Sequence, residues 1–183
     1  MKNRLLSFKA WLCILICSNF LLSSCDEDAD KNRKPIDQLP PLTHIGANTF
    51  GCLVDGEPFL PGPAQNPLDC IYQYVDGKYY FDVQATKNIA PAVKRVDVTT
   101  TKLQLVEGQT YILEDYTDGK ASGFYSIEFD ISHTDGLNTG ELTITHLDFD
   151  NQTVSGTFWF DVVDDNGKIH KIREGRFDMH YTN

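Results

Sequence analysis

From Asn48 to Tyr181 apolar and polar residues alternate with a period of two, and turn dipeptides interrupt the alternation at short intervals. Period two puts every second side chain on one face of a strand, whereas an amphipathic helix needs a period near 3.6. The clearest instance is Cys70 to Ala85, where Asp76-Gly77 supplies the turn chemistry preferred in two-residue hairpins. Centring a hairpin there predicts Val75 opposite Lys78, Tyr74 opposite Tyr79 and Tyr72 opposite Phe81. One face then carries Cys70, Tyr72, Tyr74, Tyr79, Phe81 and Val83 and is assigned to the core. The other carries Gln73, Lys78, Tyr80 and Asp82 beside Ile71 and Val75.

The rest of the chain follows the same grammar. Phe50, Cys52 and Val54 alternate with Gly51, Leu53 and Asp55 before Asp55-Gly56 turns the chain. Pro58, Pro61, Pro63 and Pro67 make the next stretch an edge or an irregular crossing, because proline cannot donate to a ladder. Residues 87–93 are expected to form a single helical turn or a loop, since Pro91 opposes a longer helix. Lys94 to Thr101 is a β-branched strand, and Gly108 and Gly119 bracket a short one around Tyr111-Ile112-Leu113. Phe124 to His133 reads as one strand with Tyr125, Ile127, Phe129 and Ile131 inward. Leu142 and Ile144 share a face that Leu147 and Phe149 do not, which predicts a bulge near Thr145-His146. Val154 to Val163 points Gly156, Phe158, Phe160 and Val162 inward, and Asp164 to Gly167 turns the chain into Lys168 to Ile172. Phe177, Met179 and Tyr181 close the domain. The expected fold is all-β, an antiparallel β-sandwich or barrel of about nine or ten short strands over residues 47–183.

The N-terminus obeys different rules. Lys2, Arg4 and Lys9 precede the mostly apolar stretch from Trp11 to Leu22, which is followed by Ser23, Ser24 and Cys25. That stretch is shorter than the about 20 residues a membrane-spanning helix needs. A basic start, a short apolar middle and a small-residue exit describe a secretory signal peptide over residues 1–24. Leu22-Ser23-Ser24-Cys25 resembles the lipobox of bacterial lipoproteins. The resemblance implies that Cys25 is lipidated on its thiol, becomes the mature N-terminus and is acylated on its amine. Two or more acyl chains anchor stably where one does not. The alternative is an ordinary signal peptide cut elsewhere, with Cys25 left as a thiol. Residues 25–46, with Asp26, Glu27, Asp28 and Asp30 followed by Lys31, Arg33, Lys34, Pro35, Pro40 and Pro41, read as a lipidated cysteine and a disordered tether. As a coil it spans about 25 Å. Acids after the cysteine resemble surface-export signals of Bacteroidota lipoproteins, whereas in enteric bacteria an Asp there favours inner-membrane retention.

Residues 1–24 hold three of the 16 basic residues and none of the 26 acidic ones, so 13 face 26 and the remaining chain carries −13. Nucleic acid and anionic headgroups repel such a chain, and neither is an expected partner. The expected partners are the membrane, reached through the acyl chains, and a glycan or an envelope protein. Cys13 and Cys17 leave with the signal, so Cys52 and Cys70 remain as a pair in an oxidising compartment. Both point inward by strand phase. They form either a disulfide, worth roughly 3 kcal/mol for a loop of this length, or two separate buried thiols.

Gly46-Ala-Asn-Thr-Phe-Gly-Cys-Leu-Val-Asp-Gly56, Val154-Ser-Gly-Thr-Phe-Trp-Phe160 and Glu174-Gly-Arg-Phe-Asp178 together resemble a family of uncharacterised Bacteroidota lipoproteins. The likeness spans most of residues 46–183. Its motifs are strands, turns and glycines, so it implies fold and location and brings no catalytic residue.

No motif for a metal or another cofactor stands out. Ser155 lacks the first glycine of a nucleophile elbow, and no His-Glu-x-x-His occurs. His44, His133, His146, His170 and His180 are scattered and read as surface or strand residues. Asp148, Asp150 and Asn151 form one acidic turn, and Asp164, Asp165 and Asn166 form another. The second matches only the tail of a calcium-loop signature, so a hairpin turn is the expectation for both. Trp159 lies on the face opposite Phe158 and Phe160, where an exposed indole serves as a stacking platform for a sugar ring, unless a loop or the proline-rich crossing covers it. The hairpin tyrosines invite the same reading. The expectation is a membrane-anchored, non-catalytic module that binds a glycan, a peptide or a protein at the cell surface, with a structural or accessory subunit of an envelope complex as the alternative and a hydrolase third.

Overall fold

A computed structural model describes residues 33–183, so the expected signal peptide, Cys25 and the first part of the expected tether lie outside the described residues. Lys34–Asn183 forms one compact unit. Its strands are β1 (Thr49–Val54), β2 (Glu57–Phe59), β3 (Leu68–Val75), β4 (Lys78–Ile89), β5 (Ala92–Thr100), β6 (Thr110–Leu113), β7 (Ala121–Ile127), β8 (Asp130–His133), β9 (Gly140–Asp148), β10 (Thr153–Val163) and β11 (Ile169–His180). They make one sheet of 11 strands in the order β2-β1-β11-β10-β9-β6-β7-β5-β4-β3, with β8 paired to β7. The expected all-β class holds. The sheet is mixed rather than wholly antiparallel, because β6 and β7 meet in parallel at Leu113 and Ala121.

Distant strands of the sheet face each other across one core, as in a β-sandwich. Phe81 of β4 meets Phe177 of β11 at 6.0 Å between ring centroids. The fully buried Phe160 of β10 packs on Gly123 of β7, where an added Cβ would stand 2.7 Å from its ring. A parallel bridge between Ile71 and Thr182 joins β3 to the residues after β11. Its hydrogen bonds run from the Tyr72 N–H to the Thr182 carbonyl and from the Thr182 N–H to the Cys70 carbonyl, each 3.0 Å.

The β3–β4 hairpin has the predicted register throughout. Asp76 and Gly77 both take positive φ, +50° and +78°, as the turn requires. The predicted bulge is also present, since Ser155 pairs with His146 and Gly156 with Ile144, leaving Thr145 unpaired. Three expectations about the path of the backbone fail. Residues 87–93 are strand, because β4 and β5 run on to a two-residue turn at Ala90-Pro91, whose peptide is cis. Phe124 to His133 is a hairpin rather than one strand. Glu128 takes φ +55° and its carboxylate accepts the Val93 N–H at 2.7 Å, so the chain reverses and leaves Phe129 97% and Ile131 64% exposed.

The third concerns the tether, whose latter half is bound to the domain. Pro35–Gln38 forms a short 3-10 turn, Leu39 is buried, and Pro40 fills the space over Gly51. Beyond them, the buried carboxylate of Asp178 accepts hydrogen bonds from the Thr43 hydroxyl (2.6 Å), the N–H groups of Ile45 (3.1 Å), Gly46 (2.8 Å) and Ala47 (3.2 Å), and the Ser155 hydroxyl (2.9 Å). Five donors on one carboxylate turn residues 43–47 into a strap across β10 and β11.

Cys52 and Cys70 are both buried and both free, so the proposed disulfide is corrected to two separate thiols. Both do point inward, but that condition is not sufficient for a bridge. Cys52 pairs across β1–β2 with Phe59, and Cys70 across β3–β4 with Val83. Burial pushes both thiols well above their ordinary range and makes them poor nucleophiles. Dithiothreitol is therefore expected to leave the melting temperature unchanged, and Ellman's reagent to label both thiols only after unfolding. Calorimetry with and without reductant checks the first expectation and timed labelling the second.

Candidate functional site

The β3–β4 hairpin, the β9–β10 turn and the C-terminus together frame a groove of about 530 Å³. Period two puts Tyr72 and Tyr74 on one face of β3, and the hairpin register sets Tyr79 opposite Tyr74. Tyr72 is buried and its hydroxyl accepts the Leu105 N–H at 3.0 Å. Burial raises that hydroxyl to about 12, so it stays a neutral phenol. Around Tyr72 stand Tyr79 in a stack at 5.2 Å, Tyr181 edge-on at 5.6 Å and Phe149 at 6.0 Å. Tyr74 leans on Tyr79 at 4.8 Å and is 64% exposed, and Phe149 is 54% exposed. Two open rings thus flank a buried aromatic floor, with Gln73 and Asn183 at the rim. Sequence reasoning took Tyr74 for core and missed Phe149. The clue to Phe149 was its falling out of phase with Leu142 and Ile144.

Phe149 is held out by the acidic turn beside it. One oxygen of Asp148 accepts the N–H groups of Asp150 (2.8 Å) and Asn151 (2.9 Å), and the other accepts the Asn151 side-chain amide (2.7 Å). In the second acidic turn Asp164 likewise accepts the N–H groups of Asn166 and Lys168, both at 2.9 Å. In both turns backbone donors hold the carboxyl below its ordinary value. Their carboxylates order hairpin turns, as expected.

Trp159 lies where β11 bulges. Phe158 pairs with Gly175 and Phe160 with Ile172, so Trp159 faces the extra residue of β11, and Glu174 there takes φ +54°. The Arg173 guanidinium sits 5.3 Å above the indole, and the indole N–H donates to Glu141 at 3.3 Å. The ring is 37% exposed and borders a groove of about 310 Å³ with Thr143, Thr157, Glu174 and Arg176. The ring is exposed as its strand phase predicted, with the Arg173 guanidinium over it. That guanidinium occupies ring surface that a sugar would need.

Two further constellations were not legible beforehand. His170, expected as a surface or strand residue, is buried between two carboxylates. Its Nδ1 lies 2.9 Å from Asp55 and its Nε2 3.3 Å from Asp164. Burial works to raise Asp55, but hydrogen bonds from the Lys171 N–H, His170 and Lys168 outweigh it and keep the carboxyl below its ordinary value. The site ties the β1–β2 turn to the β10–β11 turn. On the outer face of β4 and β5, Asp82 and Asp97 share a cleft of about 300 Å³ with Arg95, which binds Asp97 at 2.6 Å. Burial and the neighbouring Asp97 charge push Asp82 up to about 7, where a carboxyl can exchange protons near neutral pH.

Comparison with curated proteins and with solved structures gives no match. A family model described as a domain of unknown function, DUF6252, matches residues 83–179. That span runs from β4 to β11, more than half of the chain. The chain belongs to this family of unknown function.

Proposed function

We propose that the protein is a lipid-anchored binding module of the bacterial cell envelope, held in the outer membrane through acyl chains on Cys25 and binding a glycan in the groove of the β3–β4 hairpin. The observation that carries the binding reading is the pair of open rings, Tyr74 and Phe149, over a floor of Tyr72, Tyr79 and Tyr181. A sugar ring presents an apolar face and a polar edge. Exposed aromatic rings match the face, and the amides of Gln73 and Asn183 and the tyrosine hydroxyls can serve the edge. The anchoring reading rests on Lys2, Arg4, Lys9, the short apolar run and Leu22-Ser23-Ser24-Cys25. It is tested by mass spectrometry of the membrane fraction, where an unmodified Cys25 would refute it.

For binding, the protein is screened on a glycan array, and the best glycan is titrated against the wild type and Tyr74→Ala. Loss of one stacking ring is expected to weaken binding by at least about tenfold, or about 1.4 kcal/mol, with little change in melting temperature because Tyr74 is exposed. Trp159→Ala separates this groove from the one beside β11. Unaltered affinity in that variant supports the hairpin, and lost affinity moves the site to Trp159. An envelope protein that co-purifies in fixed stoichiometry, with no glycan bound on the array, would replace the proposal by an accessory-subunit role. Turnover of the glycan, abolished in Asp82→Asn, would replace it by hydrolysis.

A further inference from the structure

At one end of the sandwich, the β1–β2 turn, the β4–β5 hairpin and the β10–β11 hairpin surround a further pocket, of about 440 Å³. Along β4 the inward positions run Phe81, Val83 and Ala85, and the next is Lys87. Along β5, read toward the same end, Val98 and Val96 are buried inward and the next is Lys94. The strand period continues while its chemistry changes, so the two lysines occupy positions where the fold otherwise places core. They are directly opposite each other in the β4–β5 register, and Lys94 is also opposite Ile127 of β7. Like charges directly opposite on one face of a sheet repel.

The pocket holds two carboxylates, Asp55 and Glu57, and neither forms an ion pair with these lysines. Among the described residues neither lysine has an ion pair. Asp55 is already occupied by Lys168 (3.1 Å), His170 (2.9 Å) and the Lys171 N–H (2.9 Å). Glu57 stands exposed at the rim. Phe59, Ile89 and Ile127 supply apolar wall. Two unpaired cations therefore face an apolar-walled cavity in a chain whose overall charge is −10. A cavity of this size lies within the range of small-molecule sites, which favour the mouths of β-structures.

We infer that this pocket binds a small carboxylate with an apolar body, the carboxylate between the ammonium groups of Lys87 and Lys94 and the body against Phe59, Ile89 and Ile127. A carboxylate suits the site better than a phosphate. Asp55 and Glu57 also line the pocket, and they repel a phosphate dianion more strongly than the single charge of a carboxylate. This site is separate from the glycan groove, and neither proposal depends on the other.

The test titrates the full chain with octanoate by calorimetry, using octanol and octylamine as probes with the same apolar body. Octanoate is expected to raise the melting temperature and to bind at least about tenfold more tightly than octanol, while octylamine does not bind. Lys87→Met with Lys94→Met keeps the unbranched stems and removes both charges. The double variant is expected to lose octanoate affinity by about tenfold or more and to close the gap to octanol. Should it not fold, Lys94→Gln alone reads the same loss. Three results would overturn the inference: no binding of octanoate, equal binding of octanoate and octanol by the wild type, or unchanged octanoate affinity in folded lysine variants.

Discussion

Asp178→Ala is expected to destabilise the domain by about 3–5 kcal/mol in urea titrations. The substitution removes the acceptor for three backbone N–H groups and two hydroxyls at once. Each donor left buried without a partner costs about 1–3 kcal/mol. The full sum is not reached, because the released strap rehydrates. Asp178→Asn keeps the shape but sets an amide N–H₂ against N–H donors, so it is expected to recover less than half of the loss. The same carboxyl gives a pH signature. Burial works to raise it, but the bonds from Thr43, Ile45, Gly46 and Ala47 outweigh burial and hold it at about 2, below the unfolded value of 3.8. Its contribution, on the order of 2 kcal/mol, is fully present above pH 3.8 and is lost as the pH falls toward 2. Asp178→Ala should therefore flatten the acid limb of the stability curve.

Phe160→Ala is the second large effect, expected at about 3–5 kcal/mol. The ring is fully buried and seated against β7, where Gly123 leaves room for it. Its Cβ also closes on Gly140 of β9, where an added methyl would stand 2.4 Å away. Alanine keeps the Cα and Cβ that face Gly140, so the loss is that of the ring over Gly123, whose removal opens a cavity at the junction of the layers. Trp159→Ala, one residue away, is the contrast. Its ring is partly open to solvent and braced by Arg173, so truncation is expected to cost about 1 kcal/mol. Equal losses at the two positions would contradict the assignment of Phe160 to the inter-layer contact.

Local signals in the sequence carried far. Asp76-Gly77 specified a hairpin register to the residue, because turn chemistry and period-two alternation constrain the same few bonds. The phase break before Leu147 located a bulge, since a strand cannot change its inward face without an extra residue. What escaped was decided by tertiary contact. Glu128-Phe129 has neither glycine nor proline, and it turns because Glu128 can bond the end of β5. The strap at residues 43–47 looks like tether from composition alone, and only Asp178, more than 130 residues later, makes it structure. Cys52 and Cys70 pointed inward as read, but strand phase says which way a thiol faces and not which thiol it meets. The same limit applies to the functional surfaces. Tyr74 had the phase of a core residue and lies open at the hairpin tip, whereas Trp159 is exposed as its phase predicted, with Arg173 and Glu141 as neighbours that phase alone does not reveal.

Hydrogen exchange of the protein with and without its best array glycan tests the binding proposal most directly. Slowed exchange confined to residues 72–79, the turn around Phe149 and residues 181–183 is the predicted result. Protection at residues 141–143 and 157–159 instead, or no glycan that protects any segment, would contradict it.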